Sequence, residues 1–355
     1  MRWAVFCRVI DNFGDAGVCW RLVSELSQRC ESVTLWIDQP ELLEQLVDPR
    51  QHPEHVVIQT WPADTETFSS ADVADVVIEA FACDPPVAYV DAMAQRAASG
   101  HPPVWINLEY LSAEDWVGEH HRLPSPHPRH ALIKHFYFPG FTPESGGLLR
   151  GTNLSDPVSA SSGPLQAGQP LRIFLFGYAQ PALSDWIRAQ QNTAISVAPC
   201  PLADQLANTG QMLPADCSIQ RLPFVPQSAF DAVLDAHDLL FVRGEDSFVR
   251  AQWAAKPVFW QIYPQDAEAH IVKLRAFYAH YLDPALLDPE MREQFLNFIL
   301  AWNGSGHPGL CGSLWPSIIR MLPSLQQNAL YWRQRLLKQP DLVTQLRAFV
   351  ADLVK

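Results

Sequence analysis

Two acidic residues near the N-terminus are spaced so that they could act together in acid–base chemistry. Asp11 and Asp15 lie four positions apart in a loop that follows the apolar run of residues 3–10 and precedes a helical pattern over residues 18–26. The loop contains glycine but lacks the glycine spacing of a dinucleotide-binding fingerprint. A carboxylate at the carboxyl end of a strand is a suitable general base. Aspartate is also a common turn former, so a loop that merely starts a helix is the alternative.

A second segment places charged, hydroxyl and glycine residues directly after a strand-like run. The apolar run over 239–242 is followed by Arg243, Gly244, Glu245 and the helical pattern over 247–254, for which Asp246 or Ser247 is a natural N-cap. In open parallel sheets, ligands collect beyond the carboxyl ends of strands, where helix N-termini present N–H groups to anions. The segment therefore predicts a diphosphate site, with an ordinary capped junction as the alternative.

Alternating strand and helix patterns predict the elements that hold these two segments. In the first half, strands are predicted over 33–37, 56–61, 76–81 and 103–108, and helices over 40–46 and 86–98. In the second half, strands are predicted over 171–176, 193–198, 219–224, 239–242 and 257–261, and helices over 181–190, 230–237, 247–254, 289–303 and 324–354. This βαβα order predicts an α/β protein with mostly parallel, doubly wound sheets.

Composition suggests two domains and a cytoplasmic protein. The chain has 355 residues and 48% hydrophobic content, enough for a large core. Its formal charge of −13 argues against nonspecific binding to nucleic acid or an anionic membrane. The seven cysteines form no C-x-x-C pair, so neither a disulfide framework nor a zinc site is expected. No run approaches the roughly 20 apolar residues of a membrane helix, and no signal peptide is expected.

A stretch rich in Ser, Gly and Pro divides the chain. Residues 156–170 are predicted to be a linker between an N-terminal domain over 1–155 and a C-terminal domain over 171–335. Residues 336–355 are predicted to be a C-terminal helix that packs back on the N-terminal domain.

The segments over 9–22, 223–227 and 243–253 together resemble the bacterial protein-arginine rhamnosyltransferases that mature elongation factor P, the EarP family. The resemblance extends over essentially the whole chain, including residues 107–112 and 136–141. It implies a GT-B-like fold of two Rossmann-type domains facing across a cleft. It also implies inverting transfer of L-rhamnose from dTDP-β-L-rhamnose to an arginine of elongation factor P, which activates that factor for rescue of ribosomes stalled at polyproline.

On the acceptor side, the resemblance implies that Asp15 is the essential carboxylate and that Asp11 is a supporting or second essential one. Because a guanidinium is nearly always charged, a nearby carboxylate can orient it and accept its proton as the C–N bond forms. Which of the two acts as the base stays open. Further acceptor-side candidates are Asn12, Phe13, Gly14, Asn107, Glu109 and Ser112. For the last three, a purely structural loop is the alternative.

On the donor side, the resemblance implies that two phenylalanines flank the thymine ring and that a glutamine meets its polar edge. A tyrosine contacts the diphosphate, and the phosphate-binding helix start carries an acidic and a hydroxyl residue. The two rings are Phe224 and Phe230, the glutamine is Gln227, and the tyrosine is Tyr178. The acidic and hydroxyl residues at the helix start are Asp246 and Ser247, with Arg243 and Glu245 as adjacent site residues. Because an aspartate beside a diphosphate is electrostatically unfavourable, backbone N–H groups are expected to make the phosphate contacts. The alternative for the phenylalanines is an ordinary place in the core.

The expected partners are the folded N-terminal domain of elongation factor P and the nucleotide sugar, without nucleic acid or membrane. No cofactor or metal is expected, although His120, His121, His127 and His130 form a histidine-rich patch. Two alternatives have other functions: a GT-B glycosyltransferase with a lipid-linked or small-molecule acceptor, and a noncatalytic regulator that binds elongation factor P. The first would share the C-terminal site but need a basic or apolar membrane-docking face, and the second would leave Asp11 and Asp15 without a role.

Overall fold

A computed structural model describes residues 1–11, 13–29, 31–48, 50, 52–151, 168–209, 212–264 and 268–355. The chain divides into two compact units, Met1–Asn153 together with Gln339–Lys355, and Leu154–Lys338. The part of the predicted linker up to residue 167 lies outside the described residues, as does Asn12.

The first unit is built on a largely parallel sheet. Its strands are β1 (Arg2–Cys7), β2 (Ser32–Ile37), β3 (Val56–Thr60), β4 (Val76–Ala80), β5 (Val104–Leu108), β6 (Pro124–Pro126) and β7 (Ile133–Tyr137). Its helices are α1 (Phe13–Ser27), α2 (Glu41–Leu46), α3 (Val87–Ala98), α4 (Val117–His120) and, at the end of the chain, α13 (Leu342–Leu353). The order across the sheet is β3-β2-β1-β4-β5-β7-β6, and only β6 pairs antiparallel.

The alternating side chains of β1 show how helices cover both faces of this sheet. Trp3, Val5 and Cys7 belong to a core that includes α1 and α13. Ala4 and Phe6 point to the opposite face, into a core that includes α3. Because both faces are buried, β4 and β5 are buried along their whole length and mostly apolar, as is typical of central parallel strands, with Glu79 and Asn107 as their buried polar residues.

The second unit contains a five-stranded parallel sheet. Its strands are β8 (Leu171–Leu175), β9 (Thr193–Val197), β10 (Ser218–Arg221), β11 (Leu239–Arg243) and β12 (Val258–Gln261). Its helices are α5 (Leu183–Arg188), α6 (Pro201–Thr209), α7 (Gln227–Asp235), α8 (Asp246–Trp253), α9 (Ala269–Tyr281), α10 (Pro289–Trp302), α11 (Leu310–Arg320) and α12 (Leu322–Leu337). The order is β10-β9-β8-β11-β12.

Stacked aromatic rings fill the core of the second unit on both faces of its sheet. Phe241 stacks on Phe259 with ring centroids 4.3 Å apart, and Trp186 lies against Phe241. On the other face, Phe248 of α8 stacks on Trp260 at 3.8 Å. This packing fixes the helix that follows β11 relative to the strand beside it.

Both sheets share one topology, and this topology predicts where a ligand binds. In each, the first three strands run outward in one direction and the next two in the other, so that the order reverses between β1 and β4 and between β8 and β11. Ligands of open α/β sheets bind beyond the carboxyl ends of the strands at this reversal. The segment with Asp11 and Asp15 follows β1, and the segment with Tyr178 follows β8.

The doubly wound prediction is confirmed, and several boundaries differ from the sequence expectations. The predicted helical run over 324–354 is two helices, because Pro340 lies between α12 and α13 and cannot continue a helix. Strand β10 ends at Arg221, so Phe224 lies in the loop beyond it. Helix α7 begins at Gln227 rather than at Phe230, directly after Pro226. The sequence patterns missed the helices α4, α6, α9 and α11 and the strands β6 and β7.

Candidate functional site

Asp15 is buried at the start of α1 and holds the preceding loop. Its side chain is only 3% exposed, yet Oδ2 accepts the backbone N–H groups of Ile10 at 2.8 Å and Asp11 at 2.9 Å. The loop therefore closes onto a carboxylate in the first turn of the helix. Asp38, after β2, fixes the same loop by accepting the N–H of Val9 at 3.0 Å.

The pKa of Asp15 is raised above its usual value. Burial is the main cause, and the negative charge of Asp38 adds to it, while the two backbone N–H groups act in the opposite direction. A carboxylate that holds its proton more tightly is a stronger base. The site thus favours proton transfer to Asp15.

Asp11 lies beside the first turn of α1, next to Gly14. Its carbonyl accepts the N–H of Gly14 at 2.7 Å, and a Cβ atom on Gly14 would lie only 2.7 Å from Oδ2 of Asp11. Glycine at position 14 therefore makes room for the Asp11 carboxylate. Phe13 packs partly buried against the core on this face of the sheet.

The other acceptor-side candidates lie at the end of β5 or just after it, and they are hydrogen-bonded within the first unit. Asn107 is almost fully buried; it accepts the N–H of Ala82 and donates to Oε1 of Glu109 at 2.7 Å. Ser112 donates to Glu114 at 3.0 Å and accepts its N–H. Asn107 and Glu109 are thus a linked pair, whereas Ser112 is part of a local turn.

In the second unit, the residues after β8 and at the end of β11 come together. The guanidinium carbon of Arg243 lies 4.7 Å from the ring centroid of Phe176 and 4.6 Å from that of Tyr178. Both distances are within the range of a cation–π interaction. Tyr178 also contacts the half-exposed Tyr263 edge to face.

The two predicted base-stacking rings differ in their surroundings. Phe224 is 45% exposed, in the loop before α7. Phe230, on α7, contacts Phe174 and Phe176 edge to face, with centroids 5.7 and 6.2 Å apart. The first ring is therefore partly exposed to solvent, and the second is anchored on the core of the same unit.

A polar network joins the N-termini of α7 and α8. Gln227 donates to Oδ2 of Asp246 at 2.9 Å, and Arg250 donates to the same oxygen at 3.2 Å. Arg250, which is 8% exposed, also pairs with Asp231 at 2.7 Å. Nε2 of Gln227 is therefore directed at Asp246, and the negative charge of Asp246 is compensated beside the helix start.

The start of α8 corrects one expectation. Glu245 occupies the N-cap position and α8 begins at Asp246, so the prediction that Asp246 or Ser247 is the N-cap is wrong. The reason lies in the partners of these side chains: Asp246 accepts from Gln227 and Arg250, and the Ser247 hydroxyl donates to the carbonyl of Arg243. Gly244 turns the chain between strand and helix with φ at 61°, a conformation that favours glycine.

Sequence patterns missed three residues at this edge of the second sheet. Gln261, at the end of β12, accepts the N–H of Tyr178 at 2.8 Å. Phe176 and Tyr263 contact Arg243 or Tyr178 as described above. The only sequence signal was their place at or just beyond a strand end.

Neither a metal cluster nor a membrane helix is found in the part of the chain that the structure describes. No group of three or more His, Cys, Asp or Glu side chains there could hold a metal ion. Among the same residues, no helix is long and apolar enough to cross a bilayer.

Comparison with known proteins identifies the family. The protein-family model described as the elongation factor P rhamnosyltransferase EarP matches residues 3–351 of this chain. The chain belongs to the EarP family. The protein-arginine rhamnosyltransferases of Pseudomonas aeruginosa and Pseudomonas putida are 38% and 39% identical to it, over 99% and 98% of both chains. The resemblance inferred from the sequence is confirmed, as is the prediction that the chain is a glycosyltransferase.

Solved structures support the same fold. One, described as the structural basis for EarP-mediated arginine glycosylation of translation elongation factor EF-P, aligns over 99% of both chains with 27% identity and a TM-score of 0.65. The calicheamicin glycosyltransferase CalG4, at 13% identity and a TM-score of 0.50, shares only the fold. The GT-B fold class predicted from the sequence is confirmed.

Proposed function

We propose that this EarP family member transfers L-rhamnose from dTDP-β-L-rhamnose to one arginine of elongation factor P, with inversion at the anomeric carbon. The observation that carries the proposal is the buried Asp15 carboxylate at the carboxyl end of β1, with its raised pKa and its fixed loop. Family membership supplies the reaction class.

The donor nucleotide binds at the carboxyl edge of the second sheet. Phe224 and Phe230 stack on the thymine, and Gln227 lies beside it at the start of α7. The diphosphate faces the N-terminus of α8 and the guanidinium of Arg243, which lies over Tyr178 at 4.6 Å. Backbone N–H groups of a helix N-terminus and an arginine both favour an anion. Since Arg250 offsets Asp246, the helix start stays attractive to phosphate.

The chemistry is a displacement at the anomeric carbon. A guanidinium nitrogen attacks this carbon from the face opposite the diphosphate, a C–N bond forms, and the C–O bond to the diphosphate breaks. The proton of that nitrogen passes to Asp15, and the bonding electrons leave with dTDP. Asp15 accepts this proton during the displacement, because deprotonating the guanidinium beforehand would be very costly. Arg243 and the α8 N-terminus stabilise the charge that develops on the departing diphosphate.

The other acidic and polar groups of the first unit orient the acceptor. Asp11 and the backbone at Phe13 and Gly14 lie on the segment that follows β1, and the Asn107–Glu109 pair lies at the end of β5. Carboxylates on this edge attract and align a guanidinium. The proposed acceptor is a folded protein domain in the bacterial cytoplasm, and no metal takes part in the proposed step.

Intact-mass spectrometry of elongation factor P tests this proposal. The protein, dTDP-β-L-rhamnose and elongation factor P should together give a mass increase of one deoxyhexose, and fragmentation should locate it on one arginine. Substituting that arginine by lysine should abolish the increase, and nuclear magnetic resonance of the product should show the α-anomer. A mass increase without the nucleotide sugar, or a β-linked product, would contradict the proposal.

A further inference from the structure

We infer that Gln261 is a positioning residue for the donor diphosphate, an inference that rests on the proposed function. Gln261 is the last residue of β12 and is 6% exposed. Its Oε1 accepts the N–H of Tyr178 at 2.8 Å, although β11 lies between β12 and β8 in the sheet. One side chain therefore reaches past a whole strand to fix the segment that carries Tyr178.

The backbone of Gln261 fixes the neighbouring segment as well. Its carbonyl accepts the N–H of Gly244 at 3.2 Å, and its Cα is the register partner of Arg243. Gln261 thus holds two segments at once: the one that follows β8 and the one that follows β11. These segments carry Tyr178 and Arg243, whose side chains contact each other through a cation–π interaction.

Gly177 leaves the space that the side-chain amide of Gln261 occupies. A Cβ atom on Gly177 would lie 2.6 Å from Oε1 of Gln261, and its next neighbours would be the methyl groups of Leu202 at ordinary contact distances. The backbone of Gly177 is outside the left-handed region, so alanine is not strained there for conformational reasons. Glycine at position 177 therefore serves the approach of the Gln261 amide.

Gln261 and the two side chains that it positions therefore have different roles at the donor site. Tyr178 and Arg243 meet the nucleotide, and Gln261 keeps them in register without touching it. Because preformed contacts need less ordering on binding, loss of the Gln261 hydrogen bond should weaken donor binding. It should leave acceptor recognition unchanged, since the acceptor candidates belong to the first unit.

Steady-state kinetics of four variants test this inference. Gln261→Ala and Gly177→Ala should each raise the KM for dTDP-rhamnose roughly tenfold, with kcat and the KM for elongation factor P little changed. In the double variant, the second substitution should add almost nothing, because both remove the same contact. Gln190→Ala is the matched control: Gln190 is also buried, donates to a backbone carbonyl of α5, and lies away from this edge. Its KM values should equal those of the parent.

Several results would overturn the inference. An unchanged donor KM in both single variants would do so, as would fully additive effects in the double variant or a parallel rise in both KM values. Amide hydrogen exchange at Tyr178 separates this inference from the proposed function. Gln261→Ala should speed exchange there even without nucleotide, and unchanged exchange would refute the contact. If the parent protein transfers no rhamnose, the proposed function fails, while the exchange result still decides the role of Gln261.

Discussion

Asp15 is buried and also holds the loop that precedes α1, and both properties bear on its proposed role as the base. Its carboxylate holds two backbone N–H groups, and burial raises its pKa. Since the native pKa lies above the unfolded value, this group stabilises the fold below the unfolded pKa, and that stability is lost as pH rises through the native pKa. At neutral pH the ionised residue therefore costs stability, as functional groups often do.

The first prediction concerns the pH dependence of transfer. Because the base must be ionised, kcat/KM for elongation factor P should fall as pH drops through the raised pKa of Asp15. Asp38→Asn removes a charge that raises this pKa and keeps an oxygen for the N–H of Val9. The acid limb of the pH profile should therefore move to lower pH. A limb that stays in place, or moves upward, would refute the electrostatic link between the two aspartates.

The second prediction separates the two proposed stacking rings. Phe224→Ala should weaken dTDP binding by about 1–3 kcal/mol without lowering Tm, because the ring is 45% exposed. Phe230→Ala should weaken binding similarly and also lower Tm, because it loses contacts with Phe174 and Phe176. Calorimetry and thermal melting measure both effects. Tyr331→Ala, which truncates an exposed ring of α12, is the control and should change neither.

At the scale of elements, one buried cation, Arg250, contacts acidic side chains of both α7 and α8. Arg250 connects α8 to α7 by pairing with Asp246 and Asp231. Burial of the guanidinium opposes its charge, whereas these carboxylates favour it, and the net effect raises the pKa of Arg250. Without Arg250, the largely buried Asp246 would face the proposed phosphate site without a compensating cation.

The third prediction follows from this network. Arg250→Met should reduce the free energy of unfolding by roughly 3 kcal/mol, because it removes one partner of a buried pair. It should also weaken dTDP binding, because a negative charge is then left at the anion site. Urea unfolding and calorimetry provide the measurements. Arg188→Met, which breaks the exposed pair with Asp185 on α5, should cost less than about 1 kcal/mol and leave dTDP binding unchanged; equal effects of the two substitutions would contradict the network's role.

Particular elements show how far the sequence determines the fold and the site. The mostly apolar strands β4, β5 and β11 were predictable because a parallel strand that is buried on both faces has a nearly continuous hydrophobic sequence. Helix α9 was not, because its apolar residues are not confined to one face and Ala269–Tyr281 has little periodic contrast. Gln261 was missed for another reason: its partner Tyr178 is 83 positions away, and nothing local in the sequence encodes such a contact.

At the scale of the whole molecule, net charge and reaction specificity predict how the acceptor is recognised. The charge of −13 attracts any cationic peptide weakly, but selecting one arginine among those of many proteins needs more than a guanidinium contact. A broad interface that involves Asp11 and Glu109 would supply that selectivity and would fix the nitrogen against the anomeric carbon.

The fourth prediction compares two acceptors. The intact N-terminal domain of elongation factor P should be rhamnosylated at least 100-fold more efficiently, in kcat/KM, than an unstructured peptide that spans the same arginine. Raising the salt concentration should reduce the remaining activity on the peptide, because weak charge attraction is then screened. Comparable efficiencies for the two acceptors would show that a short segment is sufficient.

The central claim is that Asp15 acts as the base and takes no part in binding the donor nucleotide. Asp15→Asn tests this claim most directly. Asparagine keeps an oxygen that can accept the N–H groups of Ile10 and Asp11 and removes only the charge. One preparation should be measured by calorimetry with dTDP, by thermal melting and by turnover. We predict parent-like dTDP binding, a Tm that is not lowered, and transfer reduced by about 100-fold or more. Substantial remaining transfer, with dTDP binding intact, would contradict the claim.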